Sequence, residues 1–272
     1  MTSKTIVITG ASSGIGKATA RYFAENGWNV AATMRSPEKE IELKKNGNIQ
    51  VYRLDVSDHG SIEAARDQIL SDYPKVDAVL NNAGFGLMGP FELAEDDQIR
   101  KQFEVNVFGL FEVTKAFLPH FRKNKDGMFI NVSSLGGRVA FPYLSLYHST
   151  KWAVEGFTES LGFELSQLGI KAKLIEPGGV ATDFDGRSLE KTSSETIKDY
   201  DTGMASFQER FVSNIESSEP ITIAKVVFEA ATDGTDRIRY AAGQDAIQAL
   251  EARERSGDEA FIKVTKERSF GK

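Results

Sequence analysis

Short runs of β-branched and other apolar residues recur along the chain, at 5–9, 30–33, 50–54, 78–80, 128–132 and 171–175. A strand with one wet face alternates apolar and polar side chains, whereas several of these runs are apolar at both parities, the mark of a strand buried on both faces. Helix-length segments lie between them, among them 15–25, 61–70, 96–121 and 146–168. Strict alternation of strand and helix predicts right-handed βαβ crossovers, and so a doubly wound α/β sandwich around a parallel sheet. There is no internal repeat or Pro/Gly/Ser-rich linker, so the chain reads as one domain over 1–272. Two stretches break the rhythm. Residues 183–219 lose their strands and gain Asp, Ser, Thr and scattered Phe, which reads as an insertion covering the ligand crevice. Residues 244–272 read as a charged, helix-prone tail, with Glu251, Arg253, Glu254, Arg255 and Lys266 on a solvated face.

Composition narrows the function. A chain of 272 residues buries a sizeable core without staples. It contains no cysteine, which excludes disulfides, thiolate catalysis and Cys-based zinc sites. A net charge of −6 argues against nucleic acid as a partner. No apolar stretch approaches the length of a membrane span, and no signal-peptide core precedes the first strand, so the expectation is a cytoplasmic protein with no membrane span.

Between the first run and the first helical segment stands Thr9-Gly10-Ala11-Ser12-Ser13-Gly14-Ile15-Gly16. Residues without a Cβ allow a tight turn and let a pyrophosphate approach the N–H groups at a helix N-terminus. At the first βα junction of a parallel sheet this reads as a dinucleotide site. The same residues formally match the Gly-x-Ser-x-Gly elbow of α/β-hydrolases. That rival needs an acid and then a histidine later in the chain, and an elbow well inside the sheet sequence. Only His59, His120 and His148 exist, and the turn follows the first strand, so the hydrolase is disfavoured. An acid at the end of the second strand would bind the adenosine ribose and repel a 2′-phosphate. Here the segment reads Ala32-Thr33-Met34-Arg35-Ser36, so Arg35 favours NADP(H) over NAD(H), the plain alternative being a solvated strand-end charge. Asp55, ending the third strand, is left to meet the adenine side or to cap the next helix, a role Ser57 fills more naturally.

Tyr147 and Lys151 share one face at the start of a helix whose apolar stripe runs Val154, Phe157, Leu161, Leu165 and Leu168. A neighbouring ammonium is expected to lower the phenol pKa and make Tyr147 a usable general acid or base. Ser134 closes the fifth strand, at the sheet end where ligands bind, and either holds a substrate oxygen or satisfies a local turn. Asn106 sits on the apolar stripe Phe103, Asn106, Val107, Leu110, so a buried partner must satisfy its amide. Asn82-Ala83-Gly84 follows the fourth strand, with small residues that allow cofactor approach.

Together these residues make the chain resemble a short-chain dehydrogenase/reductase of the compact one-domain branch. The likeness rests on Thr9-Gly10-x3-Gly14-x-Gly16, Asp55, Asn82-Ala83-Gly84, Asn106, Ser134 thirteen residues before Tyr147, Lys151, and Pro177-Gly178 followed by Thr182. The resemblance implies a Rossmann-type sheet of about seven strands, with 238–240 as its last, and a catalytic set of Asn106, Ser134, Tyr147 and Lys151. It further implies that Lys151 binds the nicotinamide ribose and that Asn106 holds a relay water. Cofactor contacts are expected from Gly10, Ser12, Ser13, Gly14, Ile15, Gly16, Arg35, Asp55, Val56, Asn82, Ala83, Gly84, Tyr147, Lys151, Pro177, Gly178, Val180 and Thr182. Residues 137–142 are similar, more weakly, to hydroxysteroid and retinol dehydrogenases, while His148 matches no catalytic role and reads as a helix-surface residue. The expected activity is NADP(H)-dependent interconversion of an alcohol and a ketone or aldehyde, the alternative being a catalytically silent NADP(H)-binding regulator. Phe85, Leu87, Phe141, Tyr143, Phe184 and Phe207 are candidates for an apolar pocket taking a small apolar carbonyl or alcohol. By family habit the chain pairs as a homodimer or homotetramer.

Overall fold

The structure is a computed structural model that describes residues 3–182 and 188–271. In chain order the strands are β1 (Thr5–Ile8), β2 (Asn29–Met34), β3 (Ile49–Arg53), β4 (Ala78–Asn81), β5 (Gly86–Met88), β6 (Gly127–Val132), β7 (Ile170–Pro177), β8 (Leu189–Lys191) and β9 (Arg239–Ala242). The helices are α1 (Gly14–Glu25), α2 (His59–Asp72), α3 (Asp96–Phe103), α4 (Gly109–Asn124), α5 (Ser145–Ser166), α6 (Asp201–Arg210), α7 (Pro220–Thr232), α8 (Gln244–Ser256) and α9 (Asp258–Phe270). Among the described residues seven strands form one parallel sheet in the order β3-β2-β1-β4-β6-β7-β9. This is the Rossmann-type layering that the alternating pattern predicts.

The double-sided burial has a direct cause in β1. Ile6 and Ile8 pack with Phe23, Trp28, Val227 and Tyr240 on one face, while Val7 between them packs with Ile62, Val113, Phe117 and Phe129 on the other. Successive side chains point to opposite faces, so a strand covered on both sides must be apolar at every position. On the first face the rings of Phe23, Trp28 and Phe228 meet edge to face, with centroids 5.1 Å and 5.0 Å from Phe23.

Three expectations are revised. The helix expected over 96–121 is broken by a π turn, Glu104–Phe108, between α3 and α4. The extra residue in that turn shifts the helix phase, so α3 buries Gln102 while Phe103 of the expected stripe is half-buried, and such turns cluster at functional sites. The insertion is not free of strands: β8 pairs in parallel with β5, Leu87 facing Glu190, and α6 follows. Phe184 lies outside the described residues. The tail forms two helices about Gly257, and α9 turns Phe261, Thr265 and Ser269 inward at four-residue spacing. Glu251, Glu254, Arg255 and Lys266 are solvated as expected, but Arg253 is half-buried, its guanidinium 5.8 Å from the Trp152 ring and 5.7 Å from that of Phe261. Among the described residues no helix is long and apolar enough to cross a membrane.

The β7–β9 side of the sheet holds a buried charge. Lys173, 1% exposed, donates to Ala230 O (2.9 Å), Asp233 Oδ1 (2.7 Å) and the Tyr240 hydroxyl (2.8 Å), while that hydroxyl donates to Asp233 Oδ2 (2.6 Å). Burial pushes the Asp233 carboxyl up, but bonds from Lys173 and Tyr240 outweigh it and hold the group well below the usual carboxylate range. An Asp233→Ala variant strands the ammonium and should cost about 3–5 kcal/mol in urea unfolding. A loss under about 1 kcal/mol would show that the ammonium finds water instead.

Candidate active site

The β1–α1 turn is held in shape by its own side chains. Gly10 and Gly14 have φ of +68° and +52°, and a Cβ on Gly16 would stand 2.5 Å from Gly10 O. Thr9 Oγ1 accepts from the N–H groups of Asn82 (2.9 Å) and Ala83 (3.0 Å), and Asn82 Nδ2 donates to Thr9 O (2.9 Å) and Gly10 O (3.2 Å). Asn82 therefore braces the turn as well as leaving room beside it. Ser13 caps α1 without a side-chain hydrogen bond, and no acid stands in the first turn. The orphan N–H groups and the positive dipole end face the cavity, a fit for a pyrophosphate.

That cavity, of about 1780 Å³, brings together every expected site residue except Gly16, which packs behind the turn, and Asn106. Arg35 is exposed at the end of β2 and lines it; among the described residues its guanidinium has no hydrogen bond or ion pair. Asp55 lines it too, its Oδ1 accepting from Ser57 N (3.1 Å) and Ser57 Oγ (2.7 Å). The cap of α2 is not Ser57 but Asp58, whose Oδ1 accepts from Ser61 N (3.2 Å), because Ser57 is spent on Asp55. Across the cavity Thr182 approaches the turn: a Cβ on Gly14 would meet its Cγ2 at 3.2 Å.

Tyr147 lies in the first turn of α5 and Lys151 one turn later. Ser134 Oγ accepts from Gly136 N (3.0 Å), reaches Pro177 O at 3.4 Å and is hydrogen-bonded to the Tyr147 hydroxyl. It thus serves a local turn and the tyrosine together. Lys151 is buried, donates to Val132 O at 2.8 Å, and lies 5.7 Å from the centre of the Tyr147 ring. Burial pushes its ammonium down to about 8, against the opposing charge of Glu155. In this structure the net shift of the phenol is upward rather than the expected downward one. Burial pushes Tyr147 up, because desolvation penalises a phenolate, and the Ser134 bond works the other way. Near neutral pH the pair is then a phenol beside an ammonium.

Asn106, in the π turn, finds the buried partners its position demands. Its Oδ1 accepts from Phe85 N (3.0 Å), and Nδ2 donates to Phe85 O (2.8 Å) and Thr150 Oγ1 (3.1 Å). Both amide hydrogens are spent, so the side chain ties the loop after β4 to α5. His148 is not on the helix surface. It is 6% exposed; Nε2 accepts from Phe141 N (3.1 Å), which fixes the proton on Nδ1 facing Gly136 O (2.9 Å). A Cβ on Gly136 would stand 2.5 Å from Nδ1, so the paired glycines at 136–137 are the sequence signal for a side chain packed against them.

The apolar pocket is built differently from the expected set. Phe85, Phe141 and Phe207 line the cavity; Leu87 is core, and Tyr143 packs instead on Phe207 (5.6 Å) and Phe270 (6.1 Å). Phe211 joins the wall, stacked on Phe207 with ring centres 5.3 Å apart and tilted against Phe141 at 4.7 Å. The tail, unassigned by the sequence, supplies Ala252, Phe261 and Val264. The hydrolase rival finds no partner for Ser12: His59 meets Glu112, His120 meets Val76 and Asn124, and His148 is held as above.

Against this geometry, the family model for short chain dehydrogenase matches residues 4–193. A 3-ketodihydrosphingosine reductase of Bacteroides thetaiotaomicron is 38% identical over 201 residues, 74% of this chain and 72% of the relative. A short-chain dehydrogenase from Streptomyces avermitilis superposes with a TM-score of 0.86 at 29% identity, covering 97% of each chain. ElxO with NADP bound gives 0.76 at 29% identity, covering 91% of this chain and all of the other.

Burial lowers the His148 pKa from its ordinary 6.5 to about 4, so between those values the unfolded chain holds a proton that the folded one lacks. Its contribution is complete above pH 6.5 and is lost as pH falls through the window, about 2 kcal/mol by pH 5. Because Glu176, raised by burial, shifts the other way over the same interval, the reading is the difference: from pH 7 to pH 5 the parent should lose about 2 kcal/mol more stability in urea than His148→Asn. Equal drops would mean that the ring titrates as it does in water.

Proposed function

The chain belongs to the short-chain dehydrogenase family, and on that premise we propose that it interconverts an alcohol and a ketone or aldehyde using NADP(H), with Tyr147 as the proton donor and acceptor. The observation that carries this reading is the convergence of Ser134, Tyr147 and Lys151 on the cavity that the glycine turn and the 177–182 loop also line. Along that cavity the α1 N–H groups would hold the pyrophosphate, Arg35 the 2′-phosphate, Asp55 and Val56 the adenine side, and Pro177 to Thr182 the nicotinamide side. NADPH bound there supplies a hydride to the carbonyl carbon. Ser134 and Tyr147 hydrogen-bond the substrate oxygen, and the phenol proton passes to that oxygen as its charge develops. The phenolate left behind is stabilised by the Lys151 ammonium, and oxidation reverses each step. Asn106 acts through Phe85 and Thr150, keeping the loop and α5 in register.

The substrate is an apolar carbonyl or alcohol, a reading supported by Phe141, Phe207, Phe211 and Phe261 in the wall. A cavity of about 1780 Å³ exceeds the roughly 300–1,000 Å³ usual for one small ligand and so has room for both cofactor and substrate. The Bacteroides relative, named as a 3-ketodihydrosphingosine reductase, supports a ketone. The proposal takes the chain as one cofactor-binding domain, with its covering insertion and helical tail, working in the cytoplasm. Exposed Phe108, Trp152 and Phe163, in the π turn and on α5, support pairing into a dimer or tetramer.

Titration with NADPH and NADH, following nicotinamide fluorescence, tests the cofactor. NADPH should bind at least about tenfold tighter than NADH, and Arg35→Ala should erase most of that margin. Tyr147→Phe should bind NADPH within about twofold of the parent yet lose at least about 100-fold in NADPH consumption with hydrophobic ketones. Retained turnover in that variant would remove Tyr147 from the chemistry, and NADPH binding without turnover in the parent would favour the silent regulator.

A further inference from the structure

The loop from Gly178 to Thr182, assigned above to the nicotinamide side, carries no large side chain with which to hold itself in place. Its anchors come from later in the chain. Gly178 N donates to Ala242 O at 3.0 Å, Ala181 N to Ser218 O at 2.8 Å, and Ser218 N returns a bond to Gly179 O at 2.9 Å. Gly179 N donates to a side chain instead, Oδ2 of Asp245 in the first turn of α8, at 2.6 Å. An acid in a first helical turn ordinarily serves the helix dipole or its own N–H groups. This one reaches out of its helix to the cofactor loop, with the short distance of a charge-assisted bond.

The packing around the carboxylate is equally specific. A Cβ on Gly178 would stand 2.1 Å from Asp245 Oδ2 and 2.2 Å from Oδ1, and one on Gly243 would stand 2.8 Å from Oδ1. Gly178 is therefore required by space for Asp245, a requirement separate from cofactor approach. Oδ1 is buried and, among the described residues, has no hydrogen-bond partner. A carboxylate held at that cost between two glycines needs an explanation beyond helix stability.

We infer that Asp245 is a positioning residue for the nicotinamide end of the cofactor: it fixes the 178–182 loop from α8, through Gly179 and against Gly178. The inference rests on the proposed NADP(H) reading. It brings into the cofactor site a helix beyond residue 193, where the match to the family model ends. Because α8 also contributes Gln248, Ala249 and Ala252 to the cavity wall, one helix would set both the cofactor loop and part of the substrate wall.

The test compares NADPH with adenosine 2′,5′-bisphosphate, which carries the adenine and 2′-phosphate but no nicotinamide. Asp245→Ala and Gly178→Ala should each weaken NADPH about tenfold or more, and the double variant should be no weaker than the worse single, since removing the carboxylate frees the space the new methyl needs. Asp245→Asn, which keeps an acceptor for Gly179, should stay within about threefold of the parent. The bisphosphate should bind all four variants within about twofold of the parent. NADPH affinity unchanged in Asp245→Ala, strictly additive losses in the double variant, or equal losses for both ligands would overturn the inference, the last by placing Asp245 in general folding. A parent that binds the bisphosphate but not NADPH would instead overturn the cofactor reading, and this inference with it.

Discussion

Strand β1 lies between β2 and β4, parallel to both, and that pairing forces the crossovers on either side of it to leave in opposite directions. At such a reversal nothing covers the carboxyl ends of the strands, so a crevice opens there whatever the side chains are. The glycine turn follows β1, Arg35 ends the β2 side, Asn82 follows β4, and Ser134 follows β6, the next strand along. The site is assembled from residues far apart in sequence because each stands just past the end of a neighbouring strand. Buried amides reinforce the register: Asn81 Nδ2 donates to Asn131 Oδ1 across the β4–β6 pair at 2.9 Å, and Asn131 Nδ2 donates to Thr158 Oγ1 of α5 at 2.8 Å. That chain of bonds ties the sheet to the helix that carries Tyr147 and Lys151.

Desolvation sets the chemistry. The same burial that lowers Lys151 to about 8 raises Tyr147, so near neutral pH the phenol keeps its proton, the form that the proposed proton transfer requires. A cluster behind the lysine keeps the balance. Glu155, one turn further along α5, opposes the effect of burial on Lys151, and Glu155 is held by Arg239 (3.0 Å). Arg239 and Arg138 also face Glu176, which burial pushes up to about 7. Of these groups Glu155 bears directly on Lys151, and the arginines act on it by holding Glu155 and Glu176.

Much of this was legible from the chain. Double-sided apolar runs gave away the parallel sheet because burial on both faces leaves no polar parity, as Ile6, Val7 and Ile8 show. That most of these residues would meet at one cavity was legible because a strand end, a tight turn and a one-turn helical spacing are all local patterns. Less legible was whatever depends on a partner distant in sequence. Asn106 announced a buried bond but not Phe85; the phase shift at the π turn cannot be read from local periodicity; and His148 looked like a surface residue because its partners, Gly136 O and Phe141 N, are backbone groups, the paired glycines at 136–137 being the signal for it in the sequence. The tail read as solvated because its inward positions are three small or isolated residues, Phe261, Thr265 and Ser269, among charges. The net direction of the Tyr147 shift was misjudged for a physical reason: charge proximity can be read from spacing, whereas the desolvation that raises the phenol requires the packed structure.

The central claim is that a hydride crosses this cavity while Tyr147 supplies the proton. It is tested most directly by reducing a hydrophobic ketone with NADPH carrying deuterium at both C4 positions of the nicotinamide, in ordinary water, and weighing the alcohol by mass spectrometry. The account predicts one deuterium on the carbinol carbon, and none there when unlabelled NADPH is used in heavy water, because the proton from Tyr147 goes only to oxygen. An alcohol without deuterium on carbon, or one labelled on carbon from the solvent, would contradict it.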